Sequence, residues 1–266
     1  MNLMTIASGS SGNSCYVGNG DTTILVDVGI TMKAIENGLN TIDLTCKDVD
    51  AILITHEHID HVKALGIISR KHNIPIYATY GTIDGLMTMK SLGTFDYNLL
   101  RPIKNDSVFN VGSITVNTKS ISHDTNDPVC YSFEADKKKV AIATDLGKYD
   151  NMIIDFLSEC DAMVIEANHD IRMLEANPIY PYVLKKRILG DRGHLCNEAS
   201  GRLIREVLND HIKYVALGHL SDKNNYPELA YEAVKHELSD NPFSSDVRDF
   251  GLCVAKRSEP GDLILV

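Results

Sequence analysis

The sequence has no tryptophan, only 6 phenylalanines, and no C-x-x-C pair among its 6 cysteines. That spacing excludes a thiolate zinc knuckle, and a chain of 266 residues needs no disulfide framework. No apolar run approaches the roughly 18 residues a membrane-spanning helix requires. The opening MNLMTIASGSSGNS lacks a basic cluster followed by a long apolar stretch, so a secretory leader is not expected. These absences predict a reduced, cytoplasmic protein with no membrane partner. A basic excess is missing too: 26 Lys+Arg face 36 Asp+Glu, a formal charge of −10. Taken alone, that argues against a nucleic-acid partner, because phosphate binding normally shows as a basic balance.

What is present is ordinary globular composition, 44% hydrophobic and 23% charged, which excludes wholesale disorder and low-complexity architectures. No repeat and no linker-like run divides it, so one domain over 1-266 is expected. Strand-like segments fall at 4–7, 14–17, 22–27, 51–55, 75–79, 113–121, 128–134, 140–144 and 161–166. Residues 61–72 have helical spacing. The second half is richer in helices, at 148–159, 179–189, 197–209 and 226–239, with strands at 214–217, 252–255 and 263–266. Such mixing predicts a layered α/β arrangement, sheets inside and helices outside.

The ten histidines are the unusual feature, three of them within six residues. The apolar run AILIT ends in Thr55-His56-Glu57-His58-Ile59-Asp60-His61. On extended chain His56 and His58 point the same way, because side chains alternate with period two. Asp60 and His61 lie on the following turn and can face a second point nearby. One loop can thus serve two metal positions. Imidazole plus carboxylate without thiolate suits Zn, Mn or Fe used for hydrolysis.

H-x-H-x-D-H after a strand, preceded by a strand ending in Asp, resembles the metallo-β-lactamase superfamily. SISHD (His123), ATDLG (Asp145) and LGHLSDKNN (His219) match its later motifs in order. The resemblance implies an α/β fold, a four-layer αββα sandwich. It also implies two divalent ions, Zn or Mn: His56, His58 and His123 on one, Asp60, His61 and His219 on the other, with Asp145 bridging. Asp27 in LVDVG would support the histidine loop rather than bind metal. ASGSSGNS, EANHD, RGHLCNEAS and GHLSDKNNYPELA further resemble the bacterial WalJ (YycJ) branch, implying a 5′-to-3′ DNA exonuclease. In such a centre Asp60 and Asp145 are catalytic through the ions, which would carry a bridging hydroxide as nucleophile. One departure is Cys196, where serine is expected; it weakens any hydrogen bond made there.

Around this set, Asn197 reads as the N-cap of helix 197–209, a helix start suited to a phosphate. His194, just before it, is a candidate phosphate contact and proton donor. Asn168 and His169 follow a strand end and are candidate substrate contacts. Ser11, in the turn Ser10–Asn13, can present backbone N–H groups, although a plain hairpin turn is the simpler reading. Asn225 and Glu228 read as a helix start. His72, His211 and His236 read as surface residues; Cys15, Cys46, Cys130, Cys160 and Cys253 read as core or spectator thiols.

Substrate choice follows less directly. Residues 170–205 hold seven bases against four acids, while 206–266 hold eleven acids against six bases. DNA rather than RNA is expected on the resemblance, with a compact phosphodiesterase for cyclic nucleotides or other small phosphodiesters as the alternative. A metal-binding regulatory protein without turnover is the alternative of another class. A homodimer would be one way to extend the substrate groove.

Overall fold

Most strands of this chain are buried on both faces, which is why they read as continuous apolar runs rather than alternating ones. The computed structural model describes residues 1–94, 96–239 and 250–266. The first half holds β1 (Asn2–Ala7), β2 (Ser14–Gly18), β3 (Thr23–Val26), α1 (Met32–Asn40), β4 (Ala51–Leu53), α2 (Ile59–Val62), α3 (Leu65–His72), β5 (Ile76–Thr79) and α4 (Tyr80–Thr88). β6 (Leu100–Ile103), β7 (Val108–Val111), β8 (Ile114–Ser120), β9 (Val129–Ala135) and β10 (Lys138–Ala143) follow. The second half holds α5 (Asn151–Leu157), β11 (Ala162–Glu166), α6 (Ile171–Ala176), α7 (Tyr182–Leu189), α8 (Asn197–Val207), β12 (Tyr214–Gly218), α9 (Pro227–Leu238), β13 (Gly251–Val254) and β14 (Ile264–Leu265).

Among the described residues the strands form two seven-stranded sheets, ordered β14-β1-β2-β3-β4-β5-β6 and β13-β12-β11-β10-β9-β8-β7. Three apolar layers make this the αββα sandwich. Ile35 and Leu39 of α1 and Leu65 and Ile68 of α3 cover Leu25, Ile52 and Ile76 on the outer face of the first sheet. Ile24, Val26 and Leu53 meet Tyr131, Phe133, Ile142 and Val164 between the sheets. Leu203 and Ile204 of α8 and Val234 of α9 cover Met163, Ile165 and Leu217 on the far side. β11 shows the logic: Val164 faces the inter-sheet core, while Met163 and Ile165 face the helices. Burying each such side chain contributes about 1.5–3 kcal/mol.

The parallel pairs β3–β4 and β10–β11–β12 bring their carboxyl ends to one edge of the sandwich. That edge carries the histidines. It also breaks the helix expected over 61–72. Val28 N donates to His61 O (2.7 Å) and Ala64 N donates to Val28 O (2.8 Å), so the chain is held in a turn between α2 and α3. Gly29 lets these backbones approach: a Cβ there would lie 1.6 Å from Asp60 O. Helices α1, α4 and α6 and strands β6 and β7 were not anticipated from sequence pattern. α1 has a readable start, however, with Thr31 Oγ1 accepting from Ala34 N (3.2 Å). Of the three expected surface histidines, His211 and His236 are exposed, but His72 is half-buried with its Nε2 enclosed and unbonded.

Candidate metal centre

The site starts from Asp27, one residue beyond β3 and buried. Its Oδ1 accepts from Thr55 N (2.9 Å), and its Oδ2 accepts from Thr55 Oγ1 (2.8 Å) and lies 2.7 Å from His61 Nδ1. Asp27 thus ties the end of β4 to α2 and commits His61 Nδ1, leaving Nε2 for the centre. His123 is oriented in the same way. Its Nδ1 donates to Gly193 O (3.1 Å), and its Nε2 lies 3.3 Å from His58 Nδ1. Burial lowers the pKa of His56 well below the usual histidine value and also lowers His58 and His123. These three are therefore neutral imidazoles, the form a cation needs.

Ligand atoms of His56, His58 and His123 lie within 4.8 Å of one another, and so do those of Asp60, His61 and His219. Asp145 joins the two groups. Its Oδ1 lies 3.3 Å from His219 Nε2 and 3.7 Å from His123 Nε2, and its Oδ2 lies 3.2 Å from His61 Nε2. All seven side chains expected at the centre are brought together. Asp27, Asp145 and His219 have left-handed backbones (φ 59°, 61° and 53°), each just past the end of a strand. Strain of this kind concentrates where a side chain must be aimed.

These residues fit a metal. His56 Nε2 is buried without a hydrogen bond, a state that costs about 1–3 kcal/mol unless a ligand takes the lone pair. Burial alone would lower His61, but Asp145, Asp27 and Asp60 hold it well above the usual value. A field that holds a proton so firmly also favours a divalent cation in its place.

The centre opens into a cavity of about 310 Å³ lined by Ser10, Asp60, Asp145, Tyr180, Arg187 and His194, among others. His194 stacks on His219 with ring centroids 5.3 Å apart. Its Nδ1 lies 2.7 Å from Glu166 Oε1. Burial would lower His194, but the Glu166 carboxylate overrides it and raises the imidazole to about 9. Glu166 is itself fixed, with Oε2 accepting from Leu146 N (2.8 Å) and Leu195 N (3.2 Å).

Sequence reasoning assigned no role to Glu166, although a carboxylate ending a buried apolar strand must be paired. Asp124, which pairs with Arg187 at the cavity wall, was missed too. Asn13 was passed over in favour of its neighbour. Its Nδ2 lies 3.1 Å from His61 Nε2 and its Oδ1 accepts from Gly9 N (3.0 Å), whereas Ser11 is exposed and Ser10 is the turn residue on the wall.

Three expected substrate contacts, Asn168, His169 and Asn197, are buried behind the wall rather than on it. Asn168 Nδ2 donates to His219 O (2.9 Å), holding the last histidine in place. Burial lowers His169 to about 4. The N-cap of α8 is Cys196, whose Sγ accepts from Ala199 N (3.4 Å); Asn197 is the first helical residue. Its Nδ2 is taken by Asn225 Oδ1 (3.1 Å), and Asn225 Nδ2 donates back to Asn197 Oδ1 (2.8 Å). That exchange also removes Asn225 from capping α9, which starts with Tyr226 as its cap and Pro227 in its first turn. Sulfur is a weak acceptor, so Cys196→Ser should stabilise the fold by about 0.5–1 kcal/mol with kcat unchanged. Calorimetric Tm values of the two proteins check this.

The architecture and this cluster define a metal-dependent hydrolase of the metallo-β-lactamase fold. Residues 22–213 match the beta-lactamase superfamily domain, and the chain belongs to that superfamily. Within it the chain falls in the YycJ/WalJ branch. It is 36% identical over 243 residues to exodeoxyribonuclease YycJ of Bacillus anthracis, covering 91% of each chain. It is also 36% identical over 234 residues to exodeoxyribonuclease WalJ of Streptococcus pneumoniae (88% of this chain, 87% of that one). Among solved structures, the metallo-beta-lactamase fold protein YhfI from Bacillus subtilis superposes with a TM-score of 0.69 over 98% of this chain and 99% of its own, at 16% identity. Among the described residues, no helix is long and apolar enough to cross a membrane.

Proposed function

We propose that the protein is a dinuclear-metal phosphodiesterase that degrades DNA in the 5′-to-3′ direction. The observation that carries this reading is Asp145, set between two trios of ligands beside the His194–Glu166 pair. One ion, Zn or Mn, would be held by His56, His58 and His123, the second by Asp60, His61 and His219, with Asp145 shared. When bound, such ions supply a nucleophilic water at neutral pH and neutralise phosphate oxygens during in-line displacement.

The chain's own residues do the rest. Asp27 and the Gly193 carbonyl hold His61 and His123 in the tautomers the centre needs. His194 stands at the cavity wall with its Nδ1 on Glu166, so its other nitrogen can donate to a phosphate oxygen or protonate the leaving oxygen. Glu166 keeps that imidazole charged. The name of the relatives' activity and the basic wall near α7 favour DNA as substrate. The modest cavity favours a second reading, a phosphodiesterase for cyclic nucleotides or other small phosphodiesters. Met1 lies in the inter-sheet core and Val266 packs against it, which supports one domain over 1-266, and six free cysteines suit a cytoplasmic setting.

The test is a purified-protein assay with Mn and Zn on 5′-phosphorylated single-stranded and duplex DNA, RNA, cyclic mononucleotides and bis(p-nitrophenyl) phosphate. Release of mononucleotides from the 5′ end of DNA is expected; hydrolysis of the small esters alone would overturn the exonuclease reading.

A pH prediction follows from Glu166. An imidazole acting as proton donor works only while protonated, and Glu166 raises His194 above the usual histidine value, so the wild-type rate should fall on the alkaline side. Glu166→Gln removes the charge that raises His194, and the alkaline limb should move to lower pH. The profile of kcat/KM on a DNA oligomer checks this; an unmoved limb would exclude His194 as the donor.

A further inference from the structure

Helix α7 has no buried residue, although it forms one wall of the cavity through Leu184, Arg187 and Ile188. On its outer side and just before it, Ile179, Tyr182 and Val183 are 75%, 71% and 78% exposed. A helix usually buries an apolar stripe; here the stripe faces solvent beside the catalytic edge. The same segment is a basic part of an acidic protein. Residues 177–193 carry four bases against one acid, in a chain of formal charge −10. Rings and bases also occur together: Lys186 Nζ lies 5.5 Å from the Tyr182 ring centroid, and Tyr180 and Arg187 both line the cavity.

We propose that the segment 177–193 is a shelf for single-stranded nucleic acid, with Tyr182 stacking on a base outside the catalytic cavity and Lys186 meeting the adjoining phosphate. The inference deepens the phosphodiesterase reading and rests on it. Charge complementarity selects this occupant. A polyanion with aromatic faces matches both the bases and the exposed ring. Stacking is indifferent to sequence, as suits an enzyme that moves along a strand. It also reconciles the acidic chain with a polymeric substrate, because the attraction need only be local.

The test compares wild type, Tyr182→Ala, Tyr182→Phe and Lys186→Ala, metal-loaded, on single-stranded DNA and RNA oligomers and on bis(p-nitrophenyl) phosphate. Tyr182→Ala should raise KM for the oligomers by roughly ten-fold or more. Tyr182→Phe should restore it, and turnover of the small ester, too short to reach the shelf, should not change. Lys186→Ala should reduce the slope of log KM against log salt by about one. An oligomer KM unchanged in Tyr182→Ala overturns the shelf and leaves the phosphodiesterase reading intact. A dimer that dissociates in Tyr182→Ala, with KM unchanged, overturns it in favour of a contact between copies. Wild type that cleaves the small ester but no polymer would show that the exonuclease reading itself had failed.

Discussion

Asp145→Asn should lower hydrolysis of any phosphodiester by roughly 10³-fold or more while leaving the fold intact. The residue lies among four imidazole nitrogens at 3.2–3.7 Å. Among the described residues it is the carboxylate that lies within 4 Å of an imidazole of each ligand group. Burial works to raise its pKa, but His219, His61 and His56 outweigh burial and hold it well below the usual range. It is therefore a charged group at the wild-type centre, and the amide removes that charge at constant shape. Asparagine is the informative replacement because Asp145 has φ 61°, a conformation asparagine tolerates and alanine does not. Loss of activity then reports lost charge rather than a disturbed turn. Three measurements check it: kcat, bound metal per chain, and the far-ultraviolet circular dichroism spectrum. Full turnover with bound metal intact would remove Asp145 from the centre.

Stripping the metal with a chelator should abolish turnover and destabilise the fold. An ion present at 100 times its Kd contributes about 2.7 kcal/mol, so two such ions contribute about 5 kcal/mol. The size of the effect should depend on pH, and its sign follows from His61. The Asp145, Asp27 and Asp60 carboxylates overcome the effect of burial and raise His61 in the metal-free chain. A raised histidine stabilises the folded metal-free form fully below the unfolded value of about 6.5, and that stabilisation fades as pH rises through the folded value. Metal must displace the same proton, so its binding strengthens over the same interval. The gap in Tm between loaded and stripped protein should therefore widen from pH 6 upwards. A gap that narrows with pH would show that His61 is not a ligand.

The two halves of this centre differ in how far they can be read from sequence. His56, His58, Asp60 and His61 are neighbours along the chain, so strand periodicity and one turn already place them together. Glu166 and His194 are 28 residues apart, and Asn13 and His61 are 48 apart. No local pattern links such pairs; the sheet order does. The helix expected over 61–72 is present but interrupted at 63–64 for the same reason, because the interruption depends on hydrogen bonds to Val28, in a different strand connection. At α8 the expected cap, Asn197, is taken by a partner 28 residues away, Asn225, and the cap falls to Cys196.

The sequence by itself therefore determined the kind of centre, its ligand types and the layered fold around it. Short-range spacing and apolar runs are properties of neighbouring residues, and they survive without knowledge of the rest of the chain. The tertiary structure alone decided which nitrogen each histidine turns to the centre, which carboxylate charges His194, and which face of α7 is left open to solvent. Each of these depends on groups brought close only when two sheets pack and their strand ends meet at one edge.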